Sequence, residues 1–537
     1  MFKLLFRPLA LTAFVAACST LSAASYNVRT FGATGDGTTK DTKAFQKALD
    51  TCAVNGGGDV IVPAGKYLIG SIQIGNRTIL RLEKDSVLSG SPDINDYPLT
   101  DIRWEGRWQP GHRGLIYANG VDHIGIIGPG RVDGSVGPPP PPAPPAAEGA
   151  PAPATPPARG GGRGRGGWGT NGPDGTRNPV VLEPIGCNDV RWDGFTVTQG
   201  GNWATHPTYC DNLDIRNMNI SGNRDGIDVD SCRNVRIDNC VINNGDDCVS
   251  LKSGRGMDGA RLGRACEDIL ITNCTMTGGN FACIGIGSET SGGVRNVRVE
   301  HCQMSSNTHI IYIKTRIGRA GINENISADD IDVWAGDFLR INLVKGGNSS
   351  TADDPVEGLI GYPEARNFSF SNIRMHGPKP VAAGEPAPRM NGAKALVVGT
   401  EVSALRPLRG LTITNVTGPH YGITLANMTD VVIKNVVPGV APATPPAATA
   451  NGQPTPGPVF GIVNVTGTGL EGAVTIPAPI DPPPGNATGR GPGGPGAGGP
   501  PGAGGAGGRG GRGGRGGQPG AAPSADTPPA TPAPARP

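Results

Sequence analysis

From residue 188 onward the chain repeats itself about every 22 residues, and that period limits the folds open to it. Asn-Asp-Val-Arg-Trp (188–192), Asn-Leu-Asp-Ile (212–215), Asn-Val-Arg-Ile (234–237), Asp-Ile-Leu-Ile (268–271) and Asn-Val-Arg-Val (296–299) share one arrangement. An Asn or Asp turn leads into alternating apolar positions, and then come Asn, a small apolar residue and another apolar pair. Val190 to Leu213 is 23 residues and Leu213 to Val235 is 22; the next steps, 34 and 28, read as the same unit with loops inserted. Later echoes fall at 367–370, 411–415 and 431–435. Short strands at this period, with no helices between them, predict a single parallel β-helix, in which each coil buries its apolar face only by stacking on its neighbours. A sandwich would use longer strands and hairpin turns, and a propeller blade needs roughly 40 residues or more.

The rest of the chain fits around that core. Asp41 or Thr42 can cap a short helix through Cys52, with Ala44, Phe45, Ala48, Leu49 and Cys52 on one face, a lid for the first coil. A Gly56-Gly57-Gly58 turn and the strand Asp59–Val62 follow. Residues 1–24 read as an export signal: Lys3 and Arg7 flank an apolar run from Leu9 to Ala17, too short for a membrane span. Val15-Ala16-Ala17-Cys18 also resembles a bacterial lipobox, which would put a lipid tether on Cys18; cleavage after Ala23 or Ala24 is the rival reading. The β-helix domain is expected over 25–440. Two segments interrupt or follow it, a Pro/Gly/Arg-rich insertion at 137–178 and a Pro/Ala/Gly/Arg-rich tail at 441–537. Such composition buries too little apolar surface to offset ordering entropy, so both are expected to be disordered. Val459–Ile476 is a candidate for one last weak coil within the tail. Arg-Gly-Gly units around Arg509, Arg512 and Arg515 are read as a solvated cationic tether in preference to a nucleic-acid binder.

The net charge of +2 mixes an acidic centre with basic low-complexity segments and excludes little. Of 11 cysteines, ten remain once Cys18 is set aside. Cys240, Cys274 and Cys302 hold the same place in three repeats, which predicts an inward column of small side chains rather than disulfides. No CxxC or paired-His spacing marks a metal site, and no metal or cofactor is expected.

The chemistry concentrates in Asn223-Arg224-Asp225 and Gly245-Asp246-Asp247-Cys248. Asp225 and Asp246 are 21 residues apart, so one coil sets them one above the other on neighbouring strands about 4.8 Å apart. Three crowded carboxylates repel and shift one another's pKa. A fold does not need that arrangement; acid/base work on a glycosidic bond does.

These segments carry a resemblance. Tyr26–Arg29 leading into Phe31-Gly32-Ala33 and Gly35-Asp36-Gly37 looks like the opening of glycoside hydrolase family 28, the polygalacturonase and rhamnogalacturonan hydrolase family. Trp203-Ala204-Thr205-His206-Pro207, Asn223–Asp228, Gly245–Cys248, Gly287-Ser288-Glu289 with Ser291–Val294, and Ile313-Lys314 resemble its further motifs, over about 26–437 without the insertion. The resemblance implies a right-handed helix whose cleft takes a pectic chain and hydrolyses it with inversion. It implies Asp246 as general acid, Asp225 and Asp247 as the pair holding and deprotonating water, and Asn223, Lys314 and Tyr312 as substrate-binding candidates; His206 and Lys252 are candidates too, with a structural hydrogen bond the rival reading for His206 and charge neutralisation the rival for Lys252. Trp104, Trp108 and Trp203 suit either sugar stacking or core packing. His309 is read as a solvated loop residue.

Two family positions depart: the usual His is Phe281, and the Arg of Arg-Ile-Lys is Tyr312. A tyrosine cannot replace an arginine fork on a uronate carboxylate, so a neutral or decorated sugar at that position is the better fit. The rhamnogalacturonan hydrolase branch also lacks both groups, but it usually carries Asp-Glu where this chain has Asp246-Asp247. The alternatives are a calcium-dependent pectate lyase on the same fold and a catalytically impaired carbohydrate-binding β-helix. The expected partner is pectic polysaccharide, with no nucleic acid, for an exported monomer.

Overall fold

The computed structural model describes residues 24–134, 175–200, 202–347, 354–377, 394–440 and 459–480. The expected export signal, lipobox cysteine and Arg-Gly-Gly units lie outside them, as do most of the insertion and most of the tail.

Parallel pairings run from the strand Ser25–Asn27 to Val474–Thr475, each strand pairing with its counterparts one coil before and one coil after. This is a right-handed parallel β-helix. Its core is built from in-register apolar columns. Val190, Leu213, Val235, Ile269, Val297 and Ile326 stand one above another and are all buried. Full burial of each such side chain is worth about 1.5–3 kcal/mol, and no coil can gain it alone. Cys240, Cys274 and Cys302 form the inward column that the repeat predicts, and the ten described cysteines are all free and buried.

The turn residues of the repeat acquire a physical reason. Asn212, Asn217, Asn234, Asn239, Asn296 and Asn325 all sit at φ between 52° and 57°, the left-handed region that Asn tolerates better than most residues. Their side chains then bond from coil to coil. Asn234 Nδ2 donates to Asn212 Oδ1 (2.5 Å), and Asn239 Nδ2 to Asn217 Oδ1 (2.8 Å). Two ladders of amides thus mark two corners of the helix.

The cap is an α-helix over Thr42–Val54, burying Phe45, Ala48, Leu49 and Cys52. Asp41 stands at its N-terminus without capping it; its carboxylate accepts from Thr34 N (2.7 Å) and Gly35 N (3.1 Å) in the preceding loop. The insertion boundary and one hairpin differ from expectation. The insertion ends earlier than 178, because Arg177 bridges to Gly111 and Asn178 is buried. The coils also extend past 440, where Val459–Ile476 is the candidate last coil: the strands Phe460–Thr468 and Val474–Thr475 lie there. An antiparallel hairpin, Leu99–Trp104 with Arg107–His112, interrupts the parallel pattern. Its two-residue tip, Glu105 (φ 42°) and Gly106 (φ 77°), has the doubly positive φ of a tight hairpin turn.

Candidate active site

Outward-facing residues of one sheet form the floor of the site. In the strand Ile227–Asp230, Ile227 and Val229 join the core, so Asp228 and Asp230 face away from it. Register carries that face onward: Asp228 pairs with Ser250, Ser250 with Gly285, Gly285 with Tyr312, and Tyr312 with Arg340. Asp230 pairs with Lys252, and Lys314 with Asn342.

The carboxylates come from the turns entering these strands. Asp225 precedes Ile227–Asp230; Asp246 and Asp247 precede the next strand, Val249–Lys252. Buried Gln199, which sequence reasoning missed, holds the first turn from both sides. Its Oε1 accepts from Arg224 N (2.6 Å) and its Nε2 donates to Asp225 O (3.0 Å). Asn244 Nδ2 adds a bond to Arg224 O (2.7 Å). The two turns are also tied to each other, Gly226 N donating to Asp247 O (3.0 Å). Asn223 lies exposed on the first turn, directly beneath Gly245.

Two lysines divide the three carboxylates. Lys252 Nζ lies 3.2 Å from Asp225 Oδ2 and 2.6 Å from Asp228 Oδ1. Lys314 Nζ donates to Asp247 Oδ2 (2.7 Å), while Ala282 N donates to Asp247 Oδ1 (3.0 Å). Asp247 therefore has a donor on each oxygen. Asp246 accepts only from the Asp247 amide (3.0 Å), and among the described residues no ion pair reaches it. Burial, and then the charges of Asp225 and Asp247, push its pKa well above the carboxylate range. Burial alone would lower both lysines; Asp247 and Asp246 outweigh it at Lys314, and Asp228, Asp225 and Glu289 outweigh it at Lys252, so both stand above the ordinary value. Gly285 makes room: a Cβ there would lie 2.2 Å from Asp247 Oδ2.

The hairpin closes one side. Arg103 Nε reaches Asp230 Oδ2 (3.1 Å), both fully buried. Trp104 stacks on Trp203 at 4.2 Å, and the Lys252 ammonium lies 4.0 Å from the Trp203 ring centre. At the tip, Glu105 pairs with Arg255 (3.3 Å). Trp104 and Trp203 are thus packing residues, not open sugar platforms, and Trp108 lies 6.2 Å from the Tyr209 ring.

The substrate-binding candidates separate accordingly. Lys314 and Tyr312 lie part-exposed on the floor beyond the carboxylates. His206 does not line a cleft: it is 1% exposed, packed against Trp203 (4.9 Å), with Nε2 3.8 Å from Asp230. Lys252 is likewise buried, its ammonium paired with Asp225 and Asp228. His309 is no solvated loop residue; it lies in a strand, 4.8 Å from the Tyr312 ring and 3.3 Å from Asp337. Phe281 is exposed on the third stacked turn, its ring centre 5.6 Å from Lys314 Nζ. The motif alone gives Asp228 no role; the signal that marks it is alternation, since it stands between two core residues.

Among the described residues no group of three or more His, Cys, Asp or Glu side chains is placed to hold a metal ion, and no helix is long and apolar enough to cross a membrane.

Comparison with known proteins agrees with this architecture. Residues 162–334 match the family described as glycosyl hydrolases family 28, and residues 25–95 match "Rhamnogalacturonase A/epimerase, pectate lyase-like". A probable polygalacturonase of Vitis vinifera is 33% identical over 310 residues, 55% of this chain; the match spans 58% of that protein, less than two thirds of its length. An exo-poly-alpha-D-galacturonosidase of Dickeya chrysanthemi is 22% identical over 52% of this chain and 50% of its own. The crystal structure of a hyperthermoactive exopolygalacturonase from Thermotoga maritima superposes with a TM-score of 0.58 at 25% identity, covering 77% of this chain and 92% of that one. The family 28 exopolygalacturonase of Yersinia enterocolitica gives 0.59 at 19% identity, covering 77% and 75%, and shares the fold. By its motifs, its coils and these matches, the chain is similar to glycosyl hydrolases family 28 over residues 162–334 and shares the fold of its solved members.

Proposed function

We propose that the protein hydrolyses α-glycosidic bonds of pectic polysaccharide with inversion, using Asp246 as general acid and Asp225 with Asp247 as the pair that orients and deprotonates water. One observation carries this reading: each flanking aspartate is matched to a lysine, and the central one is not. Lysine contact favours the ionised form, as a base requires. Burial among like charges favours the protonated form, as an acid requires. Asp246, whose pKa is raised by burial and by the charges of Asp225 and Asp247, is the member assigned the proton. Inversion needs the acid and the base on opposite sides of the bond, roughly 6.5–9.5 Å apart, with water between.

The same arrangement disfavours a calcium-dependent lyase, because lysine ammonium groups already take the Asp225 and Asp247 oxygens that a calcium ion would need. Activity that survives a chelator, without an unsaturated product absorbing in the ultraviolet, is the expected result. The leaving-side sugar is read as neutral or decorated: Tyr312 and Phe281 flank Lys314, and Lys314 is committed to Asp247. Action outside the cell, as an exported monomer, is the accompanying proposal, supported by the basic and apolar pattern of the first residues.

The test is reducing-end release from polygalacturonan and from rhamnogalacturonan in parallel, with Asp246→Asn as control. Cleavage of the rhamnose-containing chain alone supports the whole reading. Cleavage of polygalacturonan alone keeps the hydrolase and removes the neutral-sugar assignment. Turnover retained by Asp246→Asn removes the assigned acid, and no cleavage of either by the parent protein favours a carbohydrate-binding β-helix.

A further inference from the structure

One coil beyond Tyr312 the floor changes character. Arg340 pairs in register with Tyr312 and projects from the same face, since its neighbours Leu339 and Ile341 belong to the core. Its guanidinium donates to Glu401 Oε2 (2.9 Å), and Lys345 Nζ lies 3.1 Å from Glu401 Oε1. Two cations therefore hold one carboxylate, one on each oxygen, and a positive charge is left over. The three differ in access: the side chains of Arg340 and Glu401 are 28% and 18% exposed, whereas that of Lys345 is 62% exposed. At the preceding coil the balance is different. Lys314 is taken by Asp247, and around it stand the rings of Tyr312, Phe281 and, against Tyr312, His309. His309 is itself matched by Asp337 (3.3 Å).

A glycan lying along the axis of the helix meets these two coils in succession, one strand spacing of roughly 4.8 Å apart, a step comparable with one sugar ring. We infer that Arg340 and Lys345 form a subsite for the carboxylate of a uronate unit, next along the chain from a neutral unit seated against Tyr312. Glu401 occupies the carboxylate position when no substrate is there and keeps the cations apart and oriented. The arriving uronate takes Lys345 and shares Arg340. The glycan read on this side of the carboxylates therefore alternates neutral and acidic units. The inference rests on the reading of this face as a glycan cleft, and it adds the order of the sugars to the proposed function.

The test uses the full chain carrying Asp246→Asn, so that binding is measured without turnover. Calorimetric titration compares a rhamnose–galacturonate alternating oligosaccharide with the same oligosaccharide after its carboxyl groups are reduced to alcohols. Arg340→Gln and Lys345→Gln, singly and together, should weaken binding of the acidic oligosaccharide about ten-fold or more and leave the reduced one unaffected. The exposed Lys345 guards against misfolding as the cause, because Arg340 still holds Glu401 when Lys345 is replaced. Equal losses on both ligands, no loss on either, or no binding of the acidic oligosaccharide by the Asp246→Asn protein would each overturn the subsite. Turnover by the parent protein is scored separately. Carboxylate-selective losses without any turnover would sink the hydrolase and keep the subsite, and turnover without selective losses would do the reverse.

Discussion

At the scale of single residues, the site depends on space and charge more than on bond count. Gly285→Ala places a methyl group where Asp247 Oδ2 now lies, at 2.2 Å. The carboxylate must swing away from Lys314 and Ala282, and a displacement of about 1 Å costs on the order of 100-fold in rate. The expected outcome is a collapse in kcat with unchanged circular dichroism; normal turnover would mean the carboxylate position is not critical. Lys252→Met leaves Asp225 and Asp228 buried without their cation, and such a break costs about 3–5 kcal/mol. A denaturant midpoint matching the parent would contradict the assigned role. Asp246 adds a pH signature. Its pKa is raised in the folded state, so its contribution to stability is fully present below the unfolded aspartate value near 4 and is lost as pH rises through the folded value. Asp246→Asn should therefore raise Tm more at pH 7 than at pH 4. Equal gains at both would mean the carboxyl is not held protonated by the fold.

At the scale of elements, the repeat made most of the coils legible, because its Asn positions do two jobs that no apolar residue could do. They accept positive φ at a corner and they bond to the next coil. Asn234→Ala gives up both, with φ 53° and a bond to Asn212. The expected loss is about 1–2 kcal/mol for the backbone and about 1 kcal/mol for the bond, read as a lower denaturant midpoint; an unchanged midpoint would make the ladder ornamental. The acidic turns were legible for the same reason, since a 21-residue separation across a known period fixes adjacency. What was not legible lies across the chain rather than along it. Arg103 meets Asp230 across 127 residues through a hairpin with no Asn-Gly or Asp-Gly signal, its tip being Glu105-Gly106. That hairpin turned Trp104 and Trp203 into packing residues and sealed His206 away. Gln199 was missed because a lone glutamine in a turn carries no pattern, and Phe281 and Tyr312 were visible only as departures from a family motif.

At the scale of the whole molecule, stability is handed from coil to coil, so the end of the stack matters. The last described coil pairs Phe460–Thr468 with Ile423–Val436 and packs Phe460, Ile462, Val465 and Leu470 against the core. A chain ending at 480 should keep the parent Tm and solubility. One ending at 440 opens an unpaired parallel edge and should aggregate. Sedimentation of both after mild heating separates the outcomes, and equal behaviour would show that the last coil is dispensable. The thiol columns have a different consequence. The ten described cysteines are all buried and unpaired, so an oxidant finds no sulfur to attack while the coils stay shut. Once the stack opens, all ten are exposed together, and neighbours such as Cys187, Cys210 and Cys232 are close enough along the chain to cross-link out of register. In air, unfolding would become a one-way event whose apparent temperature depends on how fast the sample is heated. The lifetime of this molecule outside a reducing solution would then be set by how seldom it opens rather than by how well it can refold.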